Sequence, residues 1–209
     1  MTRGIPVPPA ERRVKYRQAA RVIVTANERM LLMADSDPGV PNSGWWVTPG
    51  GGIDDDEDWL DAAVRELFEE TGLRIEREQL RGPVASRVVR HGYCDRVLVQ
   101  QEVFFRLDLD DQFEPSSAGF TAEEQQTMQG FGWFSVEEMS RMQVWPVGLA
   151  PLFSRQLGAE PGAEQLVDWG VMDESSVPVL PRKFSVLVSV VKGCVGCHAL
   201  RSTSLIAAA

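Results

Sequence analysis

The segment from Gly51 to Leu73 constrains what this chain can fold into more than any other part of the sequence. It places nine acidic side chains within 23 residues, and it begins within a run of three glycines. At about 100° per residue, the apolar residues between Trp59 and Glu70 fall on one broad stripe, which predicts an amphipathic helix. Gly72 then stands at the usual position of a glycine that ends a helix. The segment is therefore predicted to be a glycine-rich turn followed by a helix with a strongly acidic second face.

Three of the acidic residues, Glu66, Glu69 and Glu70, project from neighbouring positions of this helix. Like charges at that spacing destabilise a helix by roughly a few tenths of a kcal/mol per pair, so some other effect must offset the repulsion. A solvated surface is one explanation for such a charge run. Glu57 in the preceding loop and Arg65 beside the cluster favour another, because converging carboxylates are ligands that Mg²⁺ or Mn²⁺ prefers.

The acidic segment resembles the Nudix box, G-x5-E-x7-R-E-U-x-E-E-x-G-U, in which U is an aliphatic residue. The order of hairpin, loop, glycine turn, helix and later strands is also similar to the Nudix fold, over about residues 17 to 157. The matching positions are Gly51, Glu57, Arg65, Glu66, Leu67, Glu69, Glu70, Gly72 and Leu73.

This resemblance implies a Nudix hydrolase that uses Mg²⁺, or Mn²⁺ in its place, to cleave the pyrophosphate bond of a nucleoside diphosphate linked to another group. It implies that Arg65 orients the acidic cluster and that a metal-activated water attacks phosphorus. ADP-ribose-like compounds, dinucleoside polyphosphates and nucleoside triphosphates remain open as substrates. The implied metal ligands are Glu66, Glu69, Glu70, Glu57 and Gly51.

The general base is left open by the sequence. Glu66 is one candidate, and Glu123 or Glu124 in the loop before the strand at 130–135 is another, since such a loop could fold over a site. Those two residues could equally begin a solvated helix that Thr121 caps. The residues predicted to be catalytic are Glu66, Arg65 and Glu124.

Three residues on predicted strands are candidate substrate contacts, namely Arg21, Trp46 and Glu102. Arg17 and Arg21 could pair with phosphate, although surface arginines are common. One ring of the Trp45–Trp46 pair could stack on a base, while core packing is expected for the other. A period of two places Glu102 on the strand face of Leu98, Gln100 and Phe104, where its carboxylate meets either solvent or the site.

The chain is predicted to be an α+β protein, an α/β/α sandwich with a mixed central sheet. Residues 1–16 are expected to form an N-terminal arm, residues 17–157 the Nudix domain, and residues 158–209 an irregular or partly disordered extension. The local predictions are a hairpin turn at 26–29, strands at 87–89, 97–109 and 130–135, a helix from 136 with Ser135 as its N-cap, and a helix at 151–157.

Charge and cysteine content restrict the partners. The net charge of −9 argues against duplex DNA or RNA, because phosphate binding needs clustered Lys and Arg, whereas a small nucleotide can bind through bridging cations. No membrane span or signal peptide is expected, and three cysteines fit a reducing cytoplasm. The CVGCH run at 194–198 has the pattern of c-type haem attachment, but free thiols are favoured.

Two further expectations concern the oligomeric state and a function other than catalysis. A homodimer is compatible with the resemblance to Nudix proteins. A Nudix-fold module that senses a nucleotide without cleaving it is the alternative to an enzyme, but such a module is expected to lose box carboxylates, and all of them are present here.

Overall fold

A mixed sheet of eight strands forms the centre of the structure. The computed structural model describes residues 6–122, 124–157, 165–179, 185–187 and 205–207. The elements are β1 (Arg13–Ala26), β2 (Arg29–Asp35), β3 (Trp45–Val47), β4 (Gly50–Gly52), α1 (Trp59–Thr71), β5 (Arg81–Gly92), β6 (Arg96–Asp108), α2 (Glu124–Thr127), β7 (Gly130–Phe134), α3 (Val136–Met139), α4 (Leu149–Leu157), β8 (Val167–Asp173), β9 (Ser185–Leu187) and β10 (Leu205–Ala207).

The strand order is β3-β2-β1-β6-β5-β8, with β4 paired to β1 and β7 paired to β2. The pairs β1–β6 and β5–β8 are parallel, and the other pairs of this sheet are antiparallel. β9 and β10 form a separate two-stranded sheet. The predicted mixed sheet is confirmed.

The first hairpin shows how local sequence sets the register. Asn27 and Glu28 both have positive φ, 51° and 58°, and Ala26 pairs with Arg29 across them. Two consecutive positive φ angles define the turn whose twist matches that of the flanking strands. The turn predicted at 26–29 is therefore confirmed.

Helices cover both faces of the sheet, which confirms the α/β/α arrangement. α1 packs Ala62, Ala63 and Leu67 against one face, and α3 and α4 pack residues such as Leu152 and Phe153 against the other. Successive β1 side chains contribute to opposite layers, because a strand alternates its faces at every residue. Gly72 adopts a left-handed conformation at the end of α1, and Ser135 caps α3, both as predicted.

Both ends of the predicted domain differ from the structure. β1 begins at Arg13, inside the segment expected to be an arm. Arg12 is buried and donates hydrogen bonds to the carbonyls of Val7, Cys94 and Pro178, which fixes the proline-rich segment. Cys94 and Pro178 are distant from Arg12 in sequence, so no local pattern reveals these two contacts.

The predicted irregular extension contributes β8, which pairs with β5 in parallel. A strand of this kind depends on its neighbour more than on its own composition. The remaining predictions for the extension, including those for Cys194, Cys197 and His198, lie outside the described residues. None of the helices in the described ranges is long and apolar enough to cross a lipid bilayer.

We expect Leu152→Ala to lower the free energy of unfolding by about 2–5 kcal/mol, because the truncation leaves a cavity in the layer under α4. Leu157 lies in the same helix and is 45% exposed, so Leu157→Ala should lower the free energy of unfolding by less than about 1 kcal/mol. Urea unfolding followed by circular dichroism measures both. Equal losses for the two variants would contradict this packing.

Candidate active site

A cavity of about 230 Å³ lies where β4 and α1 meet the face of the sheet formed by β1, β6 and β5. Its lining is rich in charge of both signs. The lining carboxylates are Asp35, Glu66, Glu70, Glu102 and Glu124, and the lining cations are Lys15, Arg17, Arg21, Arg87 and Arg96.

The glycine strand β4 lets α1 approach the sheet closely enough to bury its carboxylates. The backbone N–H of Gly50 donates a 2.6 Å hydrogen bond to the buried carboxylate of Glu70. At Gly51, a Cβ atom would lie 2.5 Å from the Glu66 carboxylate, so any side chain there would displace it. Gly50 has a φ of 129°, which favours glycine. The glycines therefore set the position of both carboxylates.

Arg65 is the hub of the acidic cluster. Its guanidinium donates to both carboxylate oxygens of Glu57, at 2.8 and 2.7 Å, and to Glu66 at 2.9 Å and Glu69 at 3.2 Å. It also donates to the carbonyl of Gly52 at 2.9 Å. The hydrogen bonds to Glu57 contribute most to the raised pKa of Arg65, and they lower the pKa of Glu57 in return. This geometry accounts for the loop acids staying close to the helix.

The four predicted acidic ligands occupy two different settings. Glu66 and Glu70 line the cavity, whereas Glu57 and Glu69 are absent from its lining and are held by Arg65. Burial, reinforced by repulsion from Glu66 and Glu124, raises the pKa of Glu70 to about 8. Burial also raises the pKa of Glu66. The structure thus brings Glu66, Glu70 and Glu124 to one wall of the cavity.

The acidic wall fits a divalent cation by its chemistry. Among the described residues, no group of three acidic, histidine or cysteine side chains forms a ready-made metal site. Glu66 and Glu70 nevertheless supply hard oxygen donors, and burial raises the pKa of both because their charge lacks solvent. A bound cation would stabilise that charge, so the residues present suit Mg²⁺.

Glu124 reaches the cavity from a loop that is anchored to the end of α1. Ser116 donates its backbone N–H to the Thr71 carbonyl at 2.9 Å, and a Cβ at Gly119 would lie 2.2 Å from the carbonyl of Glu69. Thr121 caps α2, and both its N–H and its hydroxyl donate to Glu124 Oε2 at 2.8 Å. The helix-cap and cavity-lining interpretations of this loop therefore both hold. Glu123 lies outside the described residues.

A buried ion network forms the floor of the cavity. Glu102 is fully buried and accepts hydrogen bonds from Arg21 at 3.0 Å, from Arg87 and from Gln100. Burial alone would raise the pKa of Glu102, but Arg87 and Arg21 outweigh burial and hold it well below its usual range. Arg21 also donates to the carbonyls of Thr48 and Gly50. Arg21 and Glu102, which the sequence predicted as substrate contacts, line the cavity, and each is already hydrogen-bonded to protein groups.

Arg17 is a cation of the lining that is held by a neutral side chain. Its Nε donates to the amide oxygen of Gln100, whose amide nitrogen is in turn bound to Glu102. No carboxylate pairs with Arg17 in the described part of the chain. Burial, together with the neighbouring Arg21, lowers its pKa. A guanidinium held this way is suited to an anionic ligand.

Trp45, and not Trp46, lines the cavity. Trp46 packs edge-on against Phe134, with ring centroids 4.6 Å apart, and belongs to the core under α4. Trp45 lines the cavity and stacks on Trp145 at 4.4 Å. The prediction of Trp46 as a substrate contact is thus corrected, because alternation along β3 turns the preceding ring toward the cavity.

Arg87 and His91 are cavity residues that the sequence analysis missed. Both lie on β5, where Arg87 pairs with Glu102 and His91 pairs with Leu98. The only sequence signal was their alternation along a strand, and the register against β6 depends on tertiary pairing. Arg87 lies opposite Glu102 because of the register between β5 and β6, which the local sequence does not contain.

Comparison with known proteins identifies the family. The NUDIX domain family model matches residues 15–154. The chain therefore belongs to the Nudix family, as its acidic segment indicated.

Two relatives and one solved structure show how close the likeness is. An RNA pyrophosphohydrolase of Bartonella tribocorum is 42% identical over 66 residues, which cover 28% of this chain and 37% of that protein. The m7GpppN-mRNA hydrolase NUDT17 of Danio rerio is 43% identical over 63 residues, covering 29% and 20%. Each match thus spans less than half of the relative. The MutT protein of Bacillus halodurans, with a TM-score of 0.51 and 18% identity over 74% of this chain and 89% of its own, shares the fold.

Glu102→Gln should lower the free energy of unfolding at pH 7 by about 3 kcal/mol, because two buried guanidinium groups would lose their shared carboxylate. The pKa of Glu102 is lower in the folded state than its unfolded value of about 4.3. The ionised carboxylate therefore stabilises the fold above about pH 4.3, and this contribution is lost as the pH falls toward the folded-state pKa. Glu137→Gln removes one partner of an exposed ion pair and should cost about 0.5 kcal/mol or less. Denaturant unfolding at pH 7 compares them, and a loss below about 1 kcal/mol for Glu102→Gln would refute the network's role.

Proposed function

We propose that this protein is a Mg²⁺-dependent pyrophosphohydrolase that cleaves the diphosphate of a small nucleotide substrate. One observation supports this most strongly: a complete Nudix box places Glu66 and Glu70 on the wall of a cavity that Arg17 also lines. Negative ligands for a cation and a guanidinium without a carboxylate partner thus meet in one site. A diphosphate with its bridging cation satisfies both.

In this proposal, Glu66 and Glu70 hold the cation, and Glu57 and Glu69 support it from the Arg65 hub. Bound Mg²⁺ supplies positive charge that neutralises the diphosphate and lowers the pKa of the attacking water. Arg65 keeps Glu66 in place through its 2.9 Å hydrogen bond. The backbone N–H of Gly50 does the same for Glu70.

Glu124 is the proposed general base. Its Oε2 accepts two hydrogen bonds from Thr121, which orients the carboxylate and leaves Oε1 to take a proton from water. The water oxygen forms a bond to phosphorus as the bond from phosphorus to the bridging oxygen breaks. Glu66 is assigned to the cation rather than to the base, because it is held between Arg65 and Gly51.

Arg17 is the proposed phosphate contact, in place of Arg21. The Nε of Arg17 is held by Gln100, so its two terminal nitrogens can donate to phosphate oxygens. Charge on the leaving oxygen would be stabilised by this guanidinium in a partly desolvated site. Arg21 remains bound to Glu102 and to β4.

The substrate is proposed to be a small nucleotide rather than a duplex. The net charge of −9 disfavours a long phosphate backbone. ADP-ribose, diadenosine tetraphosphate and ATP contain the required linkage, and so does the 5′ end of a triphosphorylated RNA, which the names of the curated relatives suggest. A screen of these four compounds with Mg²⁺, with products identified by mass, would show which linkage is cut. Binding without turnover of any of them would favour the nucleotide-sensing alternative.

Glu70→Gln should lower kcat on the best substrate of that screen by about a hundredfold or more, since the neutral amide keeps the shape but not the charge. Asp55→Asn is the matched control, because Asp55 lies in the same acidic segment, is exposed and is absent from the cavity lining. Phosphate or nucleotide release at saturating Mg²⁺ measures both rates. Turnover by Glu70→Gln at the wild-type rate would rule out the proposed cation site.

Arg17→Gln should raise KM about tenfold or more, because a charge-assisted hydrogen bond to phosphate is lost. Arg13→Gln removes a cation from the same strand at an exposed position outside the cavity, and its KM should match that of the wild type. Steady-state kinetics on one substrate give both values. The assignment fails if the two variants shift KM equally.

A further inference from the structure

The end of the cavity near the β5–β6 turn is built from rings. His91 contacts Trp145 with ring centroids 5.6 Å apart and Tyr93 at 5.9 Å, and Trp45 stacks on Trp145 at 4.4 Å. All four residues line the cavity. Flat apolar surfaces of this kind accommodate a planar group such as a nucleobase.

The hydrogen bonding of His91 fixes which of its nitrogens carries a proton. Nδ1 lies 2.8 Å from the carbonyl oxygen of Glu174. A carbonyl can only accept, so Nδ1 must donate. Burial lowers the pKa of His91 to about 4, and the ring is therefore neutral near pH 7. Nε2 is then a bare acceptor, and no described residue donates a hydrogen bond to it.

The residue that imposes this tautomer lies outside the matched family domain, which ends at 154. Glu174 directly follows β8, and its own N–H donates to the carbonyl of Arg90 at 2.9 Å. Its carboxylate lies 2.6 Å from Nη1 of Arg87. Two residues further on, Ser176 donates its hydroxyl to Asp37 at 2.7 Å. The N–H of Ser176 donates to the carbonyl of Gly92 at 3.0 Å, so the extension is tied to the domain on either side of His91.

Glu102, a buried acceptor in the cavity floor, cannot serve a ligand in the same way. Glu102 already accepts from Arg21, Arg87 and Gln100. Within the described part of the chain, His91 is thus an acceptor at the ring-lined end that still lacks a donor. A ligand that reaches this end gains by presenting an N–H group.

Glu66 on the acidic wall and His91 line the same cavity but lie apart along the sheet. Gly51 pairs with Ala20, and His91 is connected through Leu98 to Lys15. Ala20 and Lys15 are five positions apart, which is about 16 Å along β1, and β5 lies two strands across the sheet from β1. A nucleotide that extends through this cavity can place its base at His91 while its diphosphate lies at Glu66.

We propose that His91 is a specificity-determining residue whose Nε2 accepts a hydrogen bond from the exocyclic amino group of the substrate's nucleobase. This inference rests on the proposed function, because it takes the substrate to be a nucleotide. It also gives the C-terminal extension a role, since the carbonyl of Glu174 presents His91 in the accepting form.

Binding of AMP and of purine riboside 5′-monophosphate tests this, because the two differ only in the amino group. AMP is also the nucleotide product expected when an adenine substrate is cut between its α- and β-phosphates. Calorimetry should show that the wild-type protein binds AMP about tenfold tighter than the purine analogue. His91→Phe keeps a flat ring without the acceptor, and it should bind both compounds alike, near the weaker affinity.

A second measurement avoids any dependence on the folding of the variant. The chain has only two histidines, so ¹⁵N-histidine labelling of the wild-type protein resolves the ring nitrogens of His91. AMP should shift the Nε2 resonance of the neutral Nδ1–H tautomer, and the purine analogue should shift it much less. Equal shifts, equal affinities in the wild type, or no AMP binding at millimolar concentration would each overturn the proposal.

These outcomes are separate from those of the hydrolysis screen. Turnover of an adenine nucleotide combined with equal binding of the two monophosphates would retain the proposed function and remove the role of His91. Absence of turnover in the screen would remove the proposed function whatever the binding results.

Discussion

The hydrogen-bonded ion pair between Arg21 and Glu102 holds the rest of the site in register. Arg21 joins the sheet to the glycine strand, since the same guanidinium donates to Glu102 and to the carbonyls of Thr48 and Gly50. Gly50 in turn donates its N–H to Glu70 on α1. The buried carboxylate of Glu102 therefore positions β4 through Arg21, and β4 in turn positions α1 through Glu70. Such a pair is costly to desolvate, and its value lies in the geometry that it enforces.

The charges that line the cavity are only partly balanced within the protein. Two cavity arginines, Arg21 and Arg87, are neutralised by Glu102 and Glu174, whereas Arg17 is hydrogen-bonded to a neutral amide and has no carboxylate partner among the described residues. The cavity thus places the Arg17 guanidinium near Glu66 and Glu70, whose pKa values are raised by burial. A diphosphate and a divalent cation would relieve both conditions at once, which is why the two are expected to bind together.

Much of the fold was predictable because it depends on residues that are close in sequence. The α1 stripe, the Gly72 stop, the Ser135 cap and the hairpin turn at 26–29 all depend on residues within a few positions of each other. The Arg65 hub was equally accessible, since its partners lie within 13 residues. Predictions failed where long-range pairing decides, as at β8 and at the choice between Trp45 and Trp46.

The sequence by itself determined the family and the neighbouring positions of Glu66 and Glu70, because spacing along one helix fixes which carboxylates are neighbours. Only the tertiary structure decided which cations are free to meet a ligand. Arg17 and Arg21 are alike in sequence, and the difference arises because parallel pairing with β6 places Gln100 opposite one of them and brings Glu102 within reach of the other. The same long-range register brings the Glu174 carbonyl to His91, an arrangement that no local pattern contains.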